Sequence, residues 1–336
     1  MRHLLDWGRH PEVATIAIAL GGYWFTRYLG TEAQRWLGEA LTGDLDSDLR
    51  MKALAAAGWA AYLTADYLQA EARYEECLAL ARATHDRQRE AEALYGLARI
   101  HLPRWERDGG TLLLAALSIF DEVGAELQAA ECRLWLGLRA ANAGQVEDST
   151  RWLNESIEVL EQSGHMGLVS VGYRYLSLAA WYSDDEATAR RQLELAESIA
   201  RTANDHRALA GACIQRGLVE GRWGDVGVAA QAILDAMAPL PDNSNIDYCL
   251  VSFGAFPTLI RTGRWDLAAR LLAHLDRTYD EYGWTPLEAR MPAAAKFRAA
   301  IAEGSGGERL VDDQAASTAD MMTALADGLA EIAHAG

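Results

Sequence analysis

Three arginines of this chain, Arg99, Arg174 and Arg222, stand in stretches dense with aromatic and small residues: ALYGLARIH, VGYRYLSLAAWY and RGLVEGRW. A guanidinium so placed can grip a carboxylate or phosphate through paired, charge-assisted hydrogen bonds. The rings around them (Trp59, Tyr62, Tyr95, Trp181, Tyr182) offer broad apolar surface of the kind found in interface cores and small-molecule clefts. The same arginines can instead pair with Glu and Asp on neighbouring helices, and the rings can serve as wedges between helices. Patterns for catalysis are missing: the sequence has no HExxH, no GxSxG and no Glu-x-x-His pair on two helices. His85, His165 and His206 fall at comparable places in ATHD, SGHMG and NDHR and read as surface residues of loops. His101 would need a partner for acid–base work that the sequence does not identify. Asp184-Asp185 and Asp312-Asp313 read as turn and linker residues. No catalytic residue, metal ligand or cofactor is assigned, so the chemistry on offer is recognition rather than turnover.

Charge and cysteine usage narrow the partners. With 48 Asp and Glu against 31 Lys and Arg, the chain carries a formal charge of −17. Binding to nucleic acid requires basic side chains that displace counterions, and an anionic membrane surface makes the same demand. Neither is expected here. Cys77, Cys132, Cys213 and Cys249 lie far apart, none in CxxC spacing, and each sits in an apolar helical pattern. They read as buried free thiols in a reducing compartment, without zinc. The apolar run 13–30 is interrupted by two glycines and Arg27, short of the roughly 20 apolar residues a span requires. The N-terminal MRHLLDWGRHPEV lacks a signal-peptide core, and the expectation is a cytoplasmic protein.

The elements that must position these residues follow from composition and spacing. Abundant Ala, Leu, Glu and Arg, only 7 prolines and no alternating β-branched runs predict an all-α chain. Short hinges begin at 65, 144, 184, 224 and 263, separated by 79, 40, 40 and 39 residues. The first gap is a double step, and LPRWERDGGTLLLAALSIF fills the missing member near 104. An earlier copy lies near 28, which makes seven units of about 40 residues. Before most hinges stands a small residue: Gly21, Gly58, Ala98, Gly137, Ser177 or Gly217, with Phe256 in its place in the last copy. Small residues on both sides of a short hinge let two antiparallel helices approach closely, and stacked hairpins bury faces that a single hairpin cannot.

This pattern resembles the tetratricopeptide repeat (TPR), whose small and aromatic positions are matched by Gly58, Tyr67, Ala70 and Tyr74, and by Gly217, Gly224 and Ala229. Its period departs from the usual ~34 residues. A period near 40 is similar to the longer variant in the C-terminal arms of bacterial LuxR and AfsR-like signal-transduction ATPase regulators, and segments 8–41 and 264–301 look like the two ends of such an arm. The resemblance implies an α-solenoid, a TPR-like superhelix of about seven hairpins, acting as a sensing or docking arm. The ATPase and DNA-binding parts of those regulators have no counterpart: GxxxxGK[ST] is absent, and Gly304-Ser305-Gly306-Gly307 reads as linker.

In such a stack the first helix of each pair lines the concave face. Counting from the small residue places Phe25, Trp59, Tyr62, Tyr95 and Arg99 on that face, then Leu138, Asn142, Arg174 and Leu178, then Trp181, Tyr182 and Arg222. Phe253 takes the corresponding position in the last copy. The expected organisation is a solenoid over 1–302, a linker over 303–315 and an amphipathic helix over 316–336. Met321, Leu325, Leu329 and Ile332 form one face of that helix. It can cap the stack, occupy the groove or dock on a second copy to form a homodimer, and capping is the common need of a solenoid end. The expected function is binding of a protein segment or small hydrophobic ligand in the groove. The alternative is a TPR-fold protein recruited to bind, sequester or transform a hydrophobic metabolite.

Overall fold

The computed structural model describes residues 1–27, 29–64, 66–104, 107–238, 245–281, 292–305 and 316–335. Aspartates open the helices. Asp46, Asp66, Asp86, Asp185, Asp205 and Asp225 each accept a hydrogen bond from a backbone N–H two or three residues on, at 2.7–3.2 Å. Each such cap satisfies an otherwise orphaned amide and is worth about 1 kcal/mol. Residues in the left-handed region close the helices: His85, Gly124, Gly164 and Asn204 between hairpins, and Gly144, Asp184 and Gly263 within them, with φ from 53° to 74°. The between-hairpin series steps by 39 or 40 residues, so the repeat is written into the turns as well as the helices.

The described residues form eighteen helices and no strand. They pack as two units, Met1–Cys132 and Arg133–Gly336. The first holds α1 (Arg2–Asp6), α2 (His10–Ala19), α3 (Gly21–Thr26), α4 (Gly30–Leu41), α5 (Ser47–Leu63), α6 (Tyr67–Ala83), α7 (Arg87–Arg104), α8 (Arg107–Val123) and the start of α9 (Glu126–Asn142). Helices α5 and α6 pair, as do α7 and α8, and α6 also packs on α7. The Tyr74 ring lies between two glycines, Gly58 of its own hairpin and Gly96 of the next. A Cβ at Gly58 would stand 2.8 Å from the ring, closer than packed carbons come. The first copy departs from expectation. Its leading arm is broken into α2 and α3, and a Cβ on Gly21 would meet nothing within 4 Å. Gly21 therefore marks a break in the arm, not a close approach of helices.

The second unit holds the rest of α9, then α10 (Val146–Gln162), α11 (Met166–Tyr182), α12 (Glu186–Thr202), α13 (His206–Trp223), α14 (Val226–Met237), α15 (Asn245–Arg261), α16 (Trp265–Glu281), α17 (Pro292–Gly304) and α18 (Thr318–Ala335). First helices α11, α13 and α15 pack side by side, each backed by its second helix. Ile233 fills the gap between Gly217 and Gly254, so the small-residue role in the last copy belongs to Gly254, two positions before the fully buried Phe256. Buried hydroxyls bind across two of the pairs: Ser149 Oγ donates to the Gly137 carbonyl and Ser177 Oγ to that of Ala189, both at 2.8 Å. Glu197, at the α12–α13 boundary, is buried and accepts two hydrogen bonds of 2.6 Å from Arg216 and one of 2.7 Å from Arg201.

The tail helix α18 buries Met321, Leu325, Leu329 and Ile332 against α14 and α16. Its start is a reciprocal cap, in which Asp320 N donates to Ser317 Oγ and Ser317 N donates to the Asp320 carboxylate. Helix α18 thus sits chiefly on second helices. The preceding helix, α17, packs on both the first helix α15 and the second helix α16. Among the described residues no helix is long and apolar enough to cross a membrane.

Candidate recognition faces

The residues singled out in the sequence fall into two sets, one in each unit. In the first unit, α5 and α7 bring Trp59, Tyr62, Tyr95 and Arg99 together. The Arg99 guanidinium lies 3.9 Å over the Trp59 ring and 5.2 and 5.7 Å from those of Tyr62 and Tyr95. Trp59 and Tyr62 stack at 5.4 Å with ring planes 13° apart, and Tyr67 meets Tyr62 edge-on. Tyr95 Oη donates to Glu131 at 2.8 Å. Burial works against the Arg99 charge, but Tyr95, Tyr62, Tyr74 and Glu131 outweigh it and hold the guanidinium more firmly protonated than usual. Burial raises the Tyr95 phenol well above its ordinary value. This set is a cation caged by rings, the arrangement in which a desolvated cation–π contact is strongest. The Phe25 side chain lies outside the described residues.

In the second unit, α9, α11 and α13 carry a register of forty residues. Leu138, Leu178 and Leu218 share one position, and Asn142, Tyr182 and Arg222 share the next turn. Asn142 is buried, and neither its Oδ1 nor the Tyr182 Oη has a hydrogen-bond partner among the described residues. Burial alone raises the Tyr182 phenol. Arg174 lies 4.3 Å over the ring of Tyr175, with its Nε buried and likewise unpaired. Trp181 is 4% exposed and donates from Nε1 to the Leu218 carbonyl at 3.2 Å. Arg222 is committed within the protein: it donates to the Trp181 carbonyl at 2.6 Å, pairs with Asp184 at 3.0 Å and lies over both Trp181 and Trp223.

One contributor was not identified from the sequence. Phe297 of α17 packs 6.2 Å from Trp181, 5.4 Å from Phe253 and 5.8 Å from Phe256. Its only signal was an aromatic between two basic residues in KFRAAI. His85 and His165, in loops, and His206, the first residue of α13, are exposed, and among the described residues no group of three His, Cys, Asp or Glu could hold a metal. A hollow of about 270 Å³ on the first unit is lined by Gln34, Arg35, Gly38, Glu39, Ala57, Gln69 and Arg73. It shares no residue with either aromatic set and is more polar than a site for a hydrophobic metabolite.

No protein-family model matches the chain, and no curated protein matches its sequence. Solved structures do match its fold. A Rap protein complexed with Competence and Sporulation Factor superimposes with a TM-score of 0.63 and 13% identity, over 89% of this chain and 80% of that one. The apo form of RapI gives 0.55 and 14% identity, over 88% of this chain and 98% of that one. At such identities the likeness speaks for fold alone, an all-α TPR-like helical repeat.

Proposed function

We propose that this chain is a recognition module in which the first helices of the repeats hold a protein or peptide segment. The carrying observation is the register on α9, α11 and α13. Leucines recur every forty residues, and one turn on stand Asn142 and Tyr182 with buried polar atoms that the described protein leaves unpaired. An unsatisfied buried donor or acceptor costs about 1–3 kcal/mol, so two kept just beneath one row of first helices suit a ligand that reaches and pairs with them as the covering side chains shift. A peptide backbone offers alternating N–H and C=O groups that meet this need, with half-buried Leu138, at the open end of a row whose Leu178 and Leu218 are buried, taking an apolar side chain. The shared fold of a Rap protein complexed with Competence and Sporulation Factor supports the same reading. So does the resemblance of the long repeat to regulator arms, which makes docking or sensing for a regulatory partner the role proposed here.

The test is to pan a random peptide library on the full chain and measure the selected peptides by fluorescence anisotropy. Asn142→Ala and Tyr182→Phe are each expected to weaken binding about 3–10-fold, the share of one hydrogen bond. Unchanged affinity in both variants would count against this face as the binding surface.

A further inference from the structure

Trp181, Phe253 and Phe256 form an aromatic slot on the first-helix side of the second unit, and all three are nearly or fully buried. What buries them includes Phe297, which arrives on α17 and is itself only half-buried. Helix α17 also packs on α16, where the Trp265 ring lies against Gly304. Its other buried residues are Ala293, Ala294 and Ile301, and two of these are small. Arg298 donates to both oxygens of Asp276, at 2.9 and 2.6 Å, but both side chains reach solvent, where ion pairs contribute little. The slot is continuous with the proposed binding face, because Tyr182 packs 5.3 Å from Trp181 and Arg222 lies over it.

We infer that α17 is a displaceable internal ligand. Phe297 holds the place that an aromatic side chain of a partner takes, and the partner must remove α17 to bind fully. The occupant also reports the chemistry of its competitor. Phe297 is flanked by Lys296 and Arg298 in a chain of net charge −17, and Arg298 meets an acidic residue. The partner segment is therefore helical, with a large aromatic residue flanked by basic ones. This inference rests on reading the inner face of this unit as a ligand surface.

Displacement lowers the apparent affinity by the fraction of molecules whose slot is open. The probe is a fluorescein-labelled peptide with the sequence of residues 292–304, titrated into the full wild-type chain and into Phe297→Ala. With a minor open state of about 10% or less, the variant is expected to bind at least tenfold tighter than wild type. The same peptide with its phenylalanine replaced by alanine should bind neither protein. Far-UV circular dichroism checks that the variant is folded. If it is not, Arg298→Ala takes its place, with a gain of about 2–5-fold expected from loosening α17. Equal binding to wild type and the folded variant, or no binding to either, overturns the inference. Library-selected peptides that still depend on Tyr182 would, in that case, leave the binding-face reading standing.

Discussion

Replacing Tyr182 by Phe should stabilise the free protein while weakening its complex, and the opposite signs make this the sharpest test of the binding face. The phenol oxygen is buried with no hydrogen-bond partner among the described residues. Its desolvation costs about 1–3 kcal/mol, and removing one oxygen leaves only a small gap to refill. The net gain is expected to be about 1 kcal/mol at neutral pH, seen in urea as a higher midpoint with an unchanged slope. Alkali adds an independent check. Burial raises the folded phenol above its ordinary value of 10.0, so the folded state keeps its proton after the unfolded chain has begun to lose it. Stability attached to this group is fully present below pH 10 and is lost as pH climbs beyond that. The advantage of Tyr182→Phe should therefore widen above pH 10, since every other titrating group is common to both proteins. A destabilised variant, or an advantage that stays constant through that range, would refute the reasoning, because the hydroxyl would then have a partner or stand in water.

Ile233→Ala should cost about 2–5 kcal/mol, because the side chain is fully buried between two glycines and its removal leaves a cavity the helices cannot readily close; thermal or urea denaturation reads it. Gly58→Val places branched carbons against the Tyr74 ring and should destabilise by about 1–3 kcal/mol, whereas Gly21→Ala, whose new Cβ would meet nothing within 4 Å, should be neutral or mildly stabilising. The Cys77 thiol, pushed up to about 12 by burial, should resist Ellman's reagent at pH 8 in the folded protein and react at once in denaturant. Its contribution to stability is complete below its unfolded value of 9.0 and declines as pH rises from there toward about 12, which Cys77→Ala should abolish.

The repeat was legible because its physics is local. Turn residues, small positions and the large apolar residue at Tyr74, Leu153, Leu193, Ile233 and Leu272 recur at a near-constant step, and each constrains only the adjacent helix. The Trp59–Tyr62–Tyr95–Arg99 cluster was legible for a related reason, since α5 and α7 are neighbours in the stack and their registers can be compared directly. What escaped was long-range. Nothing near Trp181 indicates that a helix far downstream folds onto it. The amphipathic face of α18 drew attention to the tail, yet α17, short and rich in alanine, brings Phe297 to the slot. Gly21 misled because a glycine that permits close packing and one at a helix break look alike in sequence. The oxygens of Asn142 and Tyr182, buried and without a hydrogen-bond partner among the described residues, could not have been anticipated, because burial of a polar tip depends on everything packed around it.

Recognition on the first-helix side of the pairs, not the second-helix side, is the central claim. A photoreactive benzoyl-phenylalanine placed at position 138, a half-buried first-helix leucine, and another at position 195, an exposed second-helix leucine, test this directly. Irradiated with a library-selected peptide, the probe at Leu138 should cross-link efficiently and the probe at Leu195 should not. Cross-linking at Leu195 with none at Leu138 would place recognition on the opposite face and contradict the account.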